Sequence, residues 1–389
     1  MAYAPGAGMS ERIDALDALR GFALAGIVLG NVMWFSGYAV TGPEQRALFA
    51  APAIDGVVEH SLHVLVDGKF YGLFSLIFGA GFALMTDSAQ ARGLDVAAVV
   101  RRRLLALLLI GCAHASLLWF GDIISLYAVA ALPLYWLRRW PTRRLAIAAL
   151  VCLALPVVLS LARFVLERLA DAPSPPGLGH GPAELLPVFG TGNYAELLTA
   201  NWAFVEQRWV LAVDSGRFPR LLGLFILGML GVRLRPTLRG RPRLALVLFA
   251  VFANLVLGAM ASVPAHPPSG LGVLRDLVYA VAIPLGSLAW ATLLWPMLSR
   301  GGVVTKALRA AGRLSLTHYL TQSLAMAVLF YGIGLGQWGR RGATEAMTVA
   351  VMLVLFQIAM SGPWLARFGA GPGERLLRRL THPRVDTRS

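Results

Sequence analysis

Apolar runs long enough to cross a lipid bilayer recur along almost the whole chain, and this recurrence constrains the fold more than any other feature. A bilayer core of about 30 Å takes about 20 apolar residues per helix. Ten runs qualify as candidate spans: 19–38, 62–85, 104–120, 123–137, 145–166, 218–234, 244–261, 277–298, 314–335 and 346–368. The fourth is short and joined tightly to the third through Gly121 and Asp122. The expected fold is all-α: a polytopic helix bundle in the membrane, with residues 1–389 forming a single transmembrane domain.

Composition excludes a soluble alternative. Of 389 residues, 57% are hydrophobic and only 14% charged, against roughly 25% charged in ordinary globular proteins. So few charges cannot cover a water-facing surface, and the surplus apolar area must face membrane lipids. The formal charge of +15 does not indicate nucleic acid, because the Arg residues cluster in short loops between apolar runs, as cytoplasmic loops of membrane proteins do. Cys112 and Cys152 both sit in apolar runs, and two cysteines give no disulfide framework. Glu11, Asp14 and Asp17 make the stretch before the first span partly acidic, unlike a cleaved signal peptide.

Positive charge orients the bundle. With the N-terminus inside, the inner segments hold 25 Lys and Arg and the outer ones nine, five of them in or beside one long connection. That bias predicts N-in and C-in, in the cytoplasmic membrane of a bacterium. The long connection, 167–216, is rich in Pro and Gly over 171–193. Over 194–213 it mixes Leu197, Leu198, Phe204, Val205, Trp209 and Val210 with Glu196, Glu206 and Arg208. This second part reads either as an amphipathic helix on the outer membrane face or as a plain helical hairpin.

Ionisable groups within spans cost at least ~2–3 kcal/mol each and usually pair or line a cavity, so they carry the functional signal. The second span and its approach contain His60, His63, Asp67 and Lys69. Spacings of three and four place the first three on one helix face. They are expected to work together or simply to neutralise one another within a packed bundle. His114 lies in the outer half of the third span, followed by Trp119 and Asp122. Along a continuous helix His114 and Asp122 are too far apart to touch. A sharp turn at Gly121 could fold Asp122 back, or Asp122 could meet a histidine of the second span. A histidine beside a carboxylate is what a general base needs, because the carboxylate fixes the tautomer and steadies the imidazolium. The first span carries Arg20 at its inner end and Asn31 further out. The ninth opens with Arg313, Thr317, His318, Tyr319 and Gln322 as an inner polar strip. There is no phosphate-binding loop and no zinc-type spacing, so no metal is expected.

At these residues the chain resembles the YeiB-type family of bacterial inner-membrane proteins, a family of unknown function, over nearly its whole length. The likeness rests on Leu16-Asp17-Ala18-Leu19-Arg20-Gly21-Phe22-Ala23 with Asn31, and on Lys69-Phe70 through Leu73-Phe74-Ser75-Leu76-Ile77-Phe78-Gly79-Ala80-Gly81. It continues with His114, Trp119, Gly121-Asp122-Ile123 and Tyr127, then 312–320 and Gly371-Pro372. That family in turn looks similar to transmembrane acyltransferases, the acyltransferase-three proteins and heparan-α-glucosaminide N-acetyltransferase, through Asp17-x-x-Arg20-Gly21. The resemblance implies transfer of an acyl group, acetyl above all, from cytosolic acyl-CoA (acetyl-CoA) to an extracytoplasmic hydroxyl or amine acceptor such as a glycan. It implies a base at His60 or His63, with Asp67 also matched. The chain departs at Asn31, where acyltransferase-three proteins place a histidine.

The leading expectation is therefore acyl transfer. His60, His63 or His114, oriented by Asp122 or Asp67, would act as base. Asp17, Arg20, Asn31, Lys69, Trp119, Tyr127, Arg313, Thr317, His318, Tyr319 and Gln322 would hold the two substrates. The alternative is transport of a small polar solute or lipid through the same polar interior. A homodimer is one assembly that such a bundle can adopt.

Overall fold

The computed structural model describes residues 7–170, 183–234 and 270–381, together with positions 248, 251, 252, 255 and 256. Every regular element among them is helical. The long first helix is α1 (Ala7–Phe35), followed by a single turn, α2 (Pro43–Arg46). Next come α3 (Pro52–Leu65), α4 (Lys69–Ala91), α5 (Val96–Leu117), α6 (Ile124–Ala130), α7 (Leu134–Leu137) and α8 (Thr142–Ala170). Beyond the long connection lie α9 (Val188–Thr191), α10 (Tyr194–Asp214) and α11 (Arg217–Arg233). The C-terminal part holds α12 (Gly270–Arg300), α13 (Val303–Arg313), α14 (Ser315–Phe330), α15 (Ala343–Phe368) and α16 (Pro372–Thr381).

Among the described residues, five stretches are long and apolar enough to cross a membrane: Asp14–Phe35, Pro52–Ala91, Thr142–Leu166, Ala280–Arg300 and Ala343–Phe368. The outer helices turn apolar side chains outward, among them Leu150, Val158 and Leu166 of α8 and Met352, Leu355 and Phe356 of α15. Large exposed apolar faces on continuous helices are stable only against lipid. The chain is an all-α integral membrane protein.

α1 is the central post, in contact with α4, α12, α13, α14 and α15. Small residues make this possible. A Cβ on Gly21 would lie 2.2 Å from the Leu308 carbonyl oxygen, and one on Gly312 only 1.8 Å from the Asp17 carbonyl oxygen. The two glycines thus let α1 and α13 touch backbone to backbone. α4 and α11 meet the same way through Gly79 and Gly228.

The structure subdivides several of the expected spans. The second is broken between α3 and α4 at Val66-Asp67-Gly68, where Gly68 has φ of +79°, a conformation that only glycine adopts at no steric cost. Apolar content cannot distinguish one continuous helix from two that meet end to end. The fourth is divided into α6 and the single turn α7 around Pro133, whose missing N–H interrupts the ladder. The ninth is the shorter α14. The expected span 244–261 and part of the irregular stretch 171–193 lie outside the described residues.

The stretch 194–213 forms α10, which packs along α5 and against α11. Leu197, Ala200, Asn201, Phe204, Val205 and Ala212 face inward, while Trp202, Val210 and Val213 are exposed. Asn201 Nδ2 donates to the carbonyls of Ala115 (2.6 Å) and Ser116 (3.1 Å) near the end of α5. The polar residues of this helix thus anchor it to the bundle.

Buried Asp55 of α3 holds the start of α15. Its carboxylate accepts from the Thr344 N–H (2.8 Å) and Oγ1 (2.7 Å), satisfying a free donor of the first turn. Asp55→Ala is expected to cost about 1–2 kcal/mol, the usual range for a lost helix cap. The check is the thermal unfolding midpoint of the detergent-solubilised protein; an unchanged midpoint would show that the cap is dispensable.

Candidate functional site

The polar residues singled out in the sequence fall into three groups. The first is built on α5. Arg103, Leu107 and His114 follow one face of this helix, because steps of four and seven residues return to the same side. α5 ends just past His114, whose carbonyl accepts the N–H groups of Leu118 and Trp119, each at 3.0 Å. The chain then turns through Gly121, and Asp122 folds back. Its Oδ2 accepts from the Ser125 N–H (2.7 Å) and Oγ (2.6 Å), capping the first turn of α6. Its Oδ1 lies 3.1 Å from His114 Nδ1. A Cβ on Gly111 would meet the Ser125 backbone N at 2.3 Å, so glycine is what admits α6 this close to α5.

His114 and Asp122 are only 4% and 3% exposed. A carboxylate only accepts, so His114 Nδ1 carries the proton and Nε2 presents its lone pair. Among the described residues that nitrogen is buried with no hydrogen-bond partner, as is Trp119 Nε1. Tyr319 packs over the imidazole, ring centroids 5.0 Å apart, and its hydroxyl oxygen accepts the Ile123 N–H at 3.3 Å. Arg208 of α10 borders the same small gap as Asp122.

A cavity of about 530 Å³ opens below this cluster. Arg20, Arg103, Arg313 and Arg378 line it, and Phe74, Phe78, Leu107, Tyr127 and Tyr319 form its apolar and aromatic walls. Arg20 is paired with Asp17 at 2.6 Å. Arg103, Arg313 and Arg378 have no hydrogen-bonded carboxylate among the described residues. Tyr127 is tied to Ser75 Oγ (2.7 Å) and the Tyr71 carbonyl (2.9 Å). The cavity therefore runs from a guanidinium-rich end to a tyrosine wall with the buried His–Asp pair beyond it.

α16 closes the basic end. Glu374 accepts from the N–H groups of Leu316 (2.7 Å) and Thr317 (3.1 Å) and from Thr317 Oγ1 (2.5 Å), so Thr317 serves this anchor. Glu374→Ala removes every one of these contacts. The expected result is faster proteolysis within α16 at an unchanged overall fold, followed by limited trypsin digestion at the arginines of that helix; wild-type digestion kinetics would contradict it.

The second group lies at the α3–α4 break. His63 Nδ1 is 2.6 Å from Asp67, and Lys69, 1% exposed, donates from Nζ to the His63 carbonyl at 2.7 Å. The lysine thus satisfies a carbonyl at the end of α3. Half-buried Asn31 follows Gly30, whose surroundings include Val66 and Asp67. His60, one turn before His63 on α3, is exposed. The third group joins α14 to α15: His318 Nε2 to Ser361 Oγ (2.8 Å) and Gln322 Nε2 to Gln357 Oε1 (2.8 Å). These partners turn His318 and Gln322 away from the arginine cavity, whereas neighbouring Tyr319 lines it. Among the described residues, no set of three or more His, Cys, Asp or Glu is gathered as metal ligands.

Residues 233–384, which include α12 to α16, match the family model described as "Protein of unknown function (DUF418)". The chain is 28% identical over 408 aligned positions to the uncharacterised protein YeiB of Escherichia coli, covering 95% of this chain and 96% of YeiB. It is 25% identical to the uncharacterised protein YxaH of Bacillus subtilis, covering 96% and 95% of the two chains. Over nearly its whole length the chain is thus similar to proteins of the YeiB type. A third relative, an uncharacterised 39.9 kDa protein of Bacillus acidopullulyticus encoded in an amylase 3' region, is 36% identical over 34% of this chain and 36% of its own length. No solved structure matches.

Sequence reasoning did not single out Arg103, Ser125, Arg208, Glu374 or Arg378. The eleven-residue spacing from Arg103 to His114, close to three helical turns, was the available signal for Arg103. Ser125 follows Asp122 at cap spacing. Arg208, Glu374 and Arg378 reach the cluster only through tertiary packing.

Proposed function

We propose that this protein transfers an acyl group from a cytosolic acyl-CoA to a hydroxyl or amine acceptor supplied from the other side of the bacterial cytoplasmic membrane. The carrying observation is the cavity with four arginines at one end and the His114–Asp122 pair beyond the other. Arginine is the side chain best shaped for phosphate recognition, and the charge bias of the loops puts this end in the cytoplasm. Arg103 and His114 stand about 16 Å apart along α5 at 1.5 Å per residue, a span suited to a pantetheine arm. The phosphates rest on Arg20, Arg103, Arg313 and Arg378, and the arm passes between Leu107 and the phenyl rings of α4.

In the reaction, His114 Nε2 takes the proton of the acceptor O–H or N–H while the acceptor atom attacks the thioester carbonyl. Asp122 steadies the imidazolium. The Tyr319 hydroxyl, whose oxygen already accepts from Ile123, keeps its own O–H free to donate to the developing oxyanion. The C–S bond then breaks, and the CoA thiolate recovers the proton from His114. The test is binding of acetyl-CoA to purified protein by calorimetry, with release of free thiol. The expected outcome is saturable binding that Arg103→Ala and Arg313→Ala each weaken at least tenfold. Absence of both binding and thiol release would overturn the proposal.

The break between α3 and α4, with Lys69 buried against it, favours a second reading: transport of a small polar solute. Unwound backbone at membrane depth is a usual feature of transporter sites. Flux into proteoliposomes without acyl-CoA would select this reading.

A further inference from the structure

A second cavity, of about 520 Å³, lies apart from the first, between the C-terminal ends of α4 and α11, the start of α5 and α7. Its charged lining is Asp87, Asp95, Arg138, Arg139 and Arg233. Two of these are committed within the fold. Asp95 caps α5 through the Ala97 N–H at 2.9 Å. Arg233 donates to the carbonyls of Arg138 and Trp140 and so fixes the end of α7. The others are available. The Arg138 guanidinium lies over the Tyr135 ring, 4.8 Å from its centroid, and its Nε is buried without a hydrogen-bond partner among the described residues. Arg139 and Asp87 have no side-chain hydrogen bond or ion pair among the described residues. Beside them Trp136 and Trp140 are 64% and 42% exposed, as tryptophans are where a helix leaves the bilayer.

We propose that this cavity binds a phosphate ester at the level of the inner-leaflet headgroups. The phosphate sits against Arg138 and Arg139, and an amine or hydroxyl on the same ligand meets Asp87. Two free guanidiniums against one free carboxylate set the anionic preference, and a basic pocket between helices at the cytoplasmic surface is suited to a phospholipid headgroup. Because Tyr135 and Arg233 hold Arg138 in place, the site is preformed. Neither residue borders the arginine cavity of the acyl-transfer proposal, so the two stand or fall separately.

The test uses full-length, delipidated protein in detergent, with thermal unfolding followed by tryptophan fluorescence. Phosphatidylglycerol, phosphatidylethanolamine, phosphatidylcholine and inorganic phosphate are titrated separately. Saturable stabilisation by phosphatidylglycerol and phosphatidylethanolamine is expected, with half-saturation raised at least tenfold in the Arg138→Ala/Arg139→Ala double variant. Asp87→Asn is expected to abolish any preference for phosphatidylethanolamine over phosphatidylcholine. Protection by inorganic phosphate without protection by lipid would support the site with a soluble phosphate ester as its ligand. Protection by neither, or equal lipid response in wild type and double variant, would overturn the proposal. Should the double variant fold poorly, Arg139→Ala alone changes an exposed side chain. Native mass spectrometry then counts retained lipid, and retention equal to wild type also overturns the proposal.

Discussion

Replacing His114 by Ala is expected to lower acyl transfer by ~10²–10⁴-fold, the range that a positioned general base contributes. Acyl-CoA affinity should remain within about twofold of wild type, because the arginines that bind the phosphates lie on the far side of the Tyr319 wall. Asp122→Asn should cause a similar loss for a different reason. An amide donating to Nδ1 shifts the ring proton to Nε2, so the lone pair that takes the acceptor proton is lost. Since Asp122 also accepts from Ser125, the Asn variant is checked first for an unchanged unfolding midpoint. Single-turnover transfer with radiolabelled acetyl-CoA separates binding from chemistry. His114→Ala retaining more than a tenth of wild-type transfer would remove His114 from the mechanism and return attention to His63 and Asp67.

Gly312→Leu is expected to prevent assembly of the bundle. Overpacking a tight core typically costs ~1–3 kcal/mol. Here the obstruction is backbone, the Asp17 carbonyl 1.8 Å from the added Cβ, and no rotamer change relieves it. The same crossing holds Gly21 of the Asp17-x-x-Arg20-Gly21 motif against Leu308. Displacing it moves Asp17 and Arg20 away from the cavity along with the helix. Gly362→Ala serves as control, because among the described residues no atom outside its own helix backbone lies within 4 Å of its added Cβ. The readouts are monodispersity on size exclusion and the unfolding midpoint in detergent. A Gly312→Leu protein that elutes and melts like wild type would show that α1 and α13 can separate without consequence.

The membrane class and most helix positions were legible in the sequence, because lipid imposes a length and an apolar composition on each span. The interruption at Val66–Gly68 was not, since nothing in hydropathy distinguishes a glycine in the left-handed region from one in a helix. The residue types of the His114–Asp122 pair were legible, but their contact was not. It depends on Gly111 admitting α6 and on Asp122 capping Ser125, both of them tertiary facts. His318 and Tyr319 show the same limit. Adjacent in sequence, they point to different helices, one onto Ser361 and the other onto His114. Arg208 was hidden inside a stretch whose amphipathic pattern suits the membrane surface equally well. Its place beside Asp122 emerges only once α10 lies along α5.

On the side opposite the arginines, Phe35 stacks on Trp119 with centroids 4.2 Å apart, Phe120 on Phe204 at 4.8 Å and Phe189 on Trp338 at 5.1 Å. These rings come from α1, the turn after α5, α9, α10 and the loop after α14, and they pack into one aromatic cluster whose Trp119 also meets His114 edge-on. In the acyl-transfer proposal, an acceptor arriving from that side would have to part them first. Under the acyl-transfer proposal, turnover would then be limited by how often these rings part, as lid opening limits many enzymes. Substitutions that loosen the Phe189–Trp338 contact would therefore quicken the cycle while leaving the bond-making step untouched.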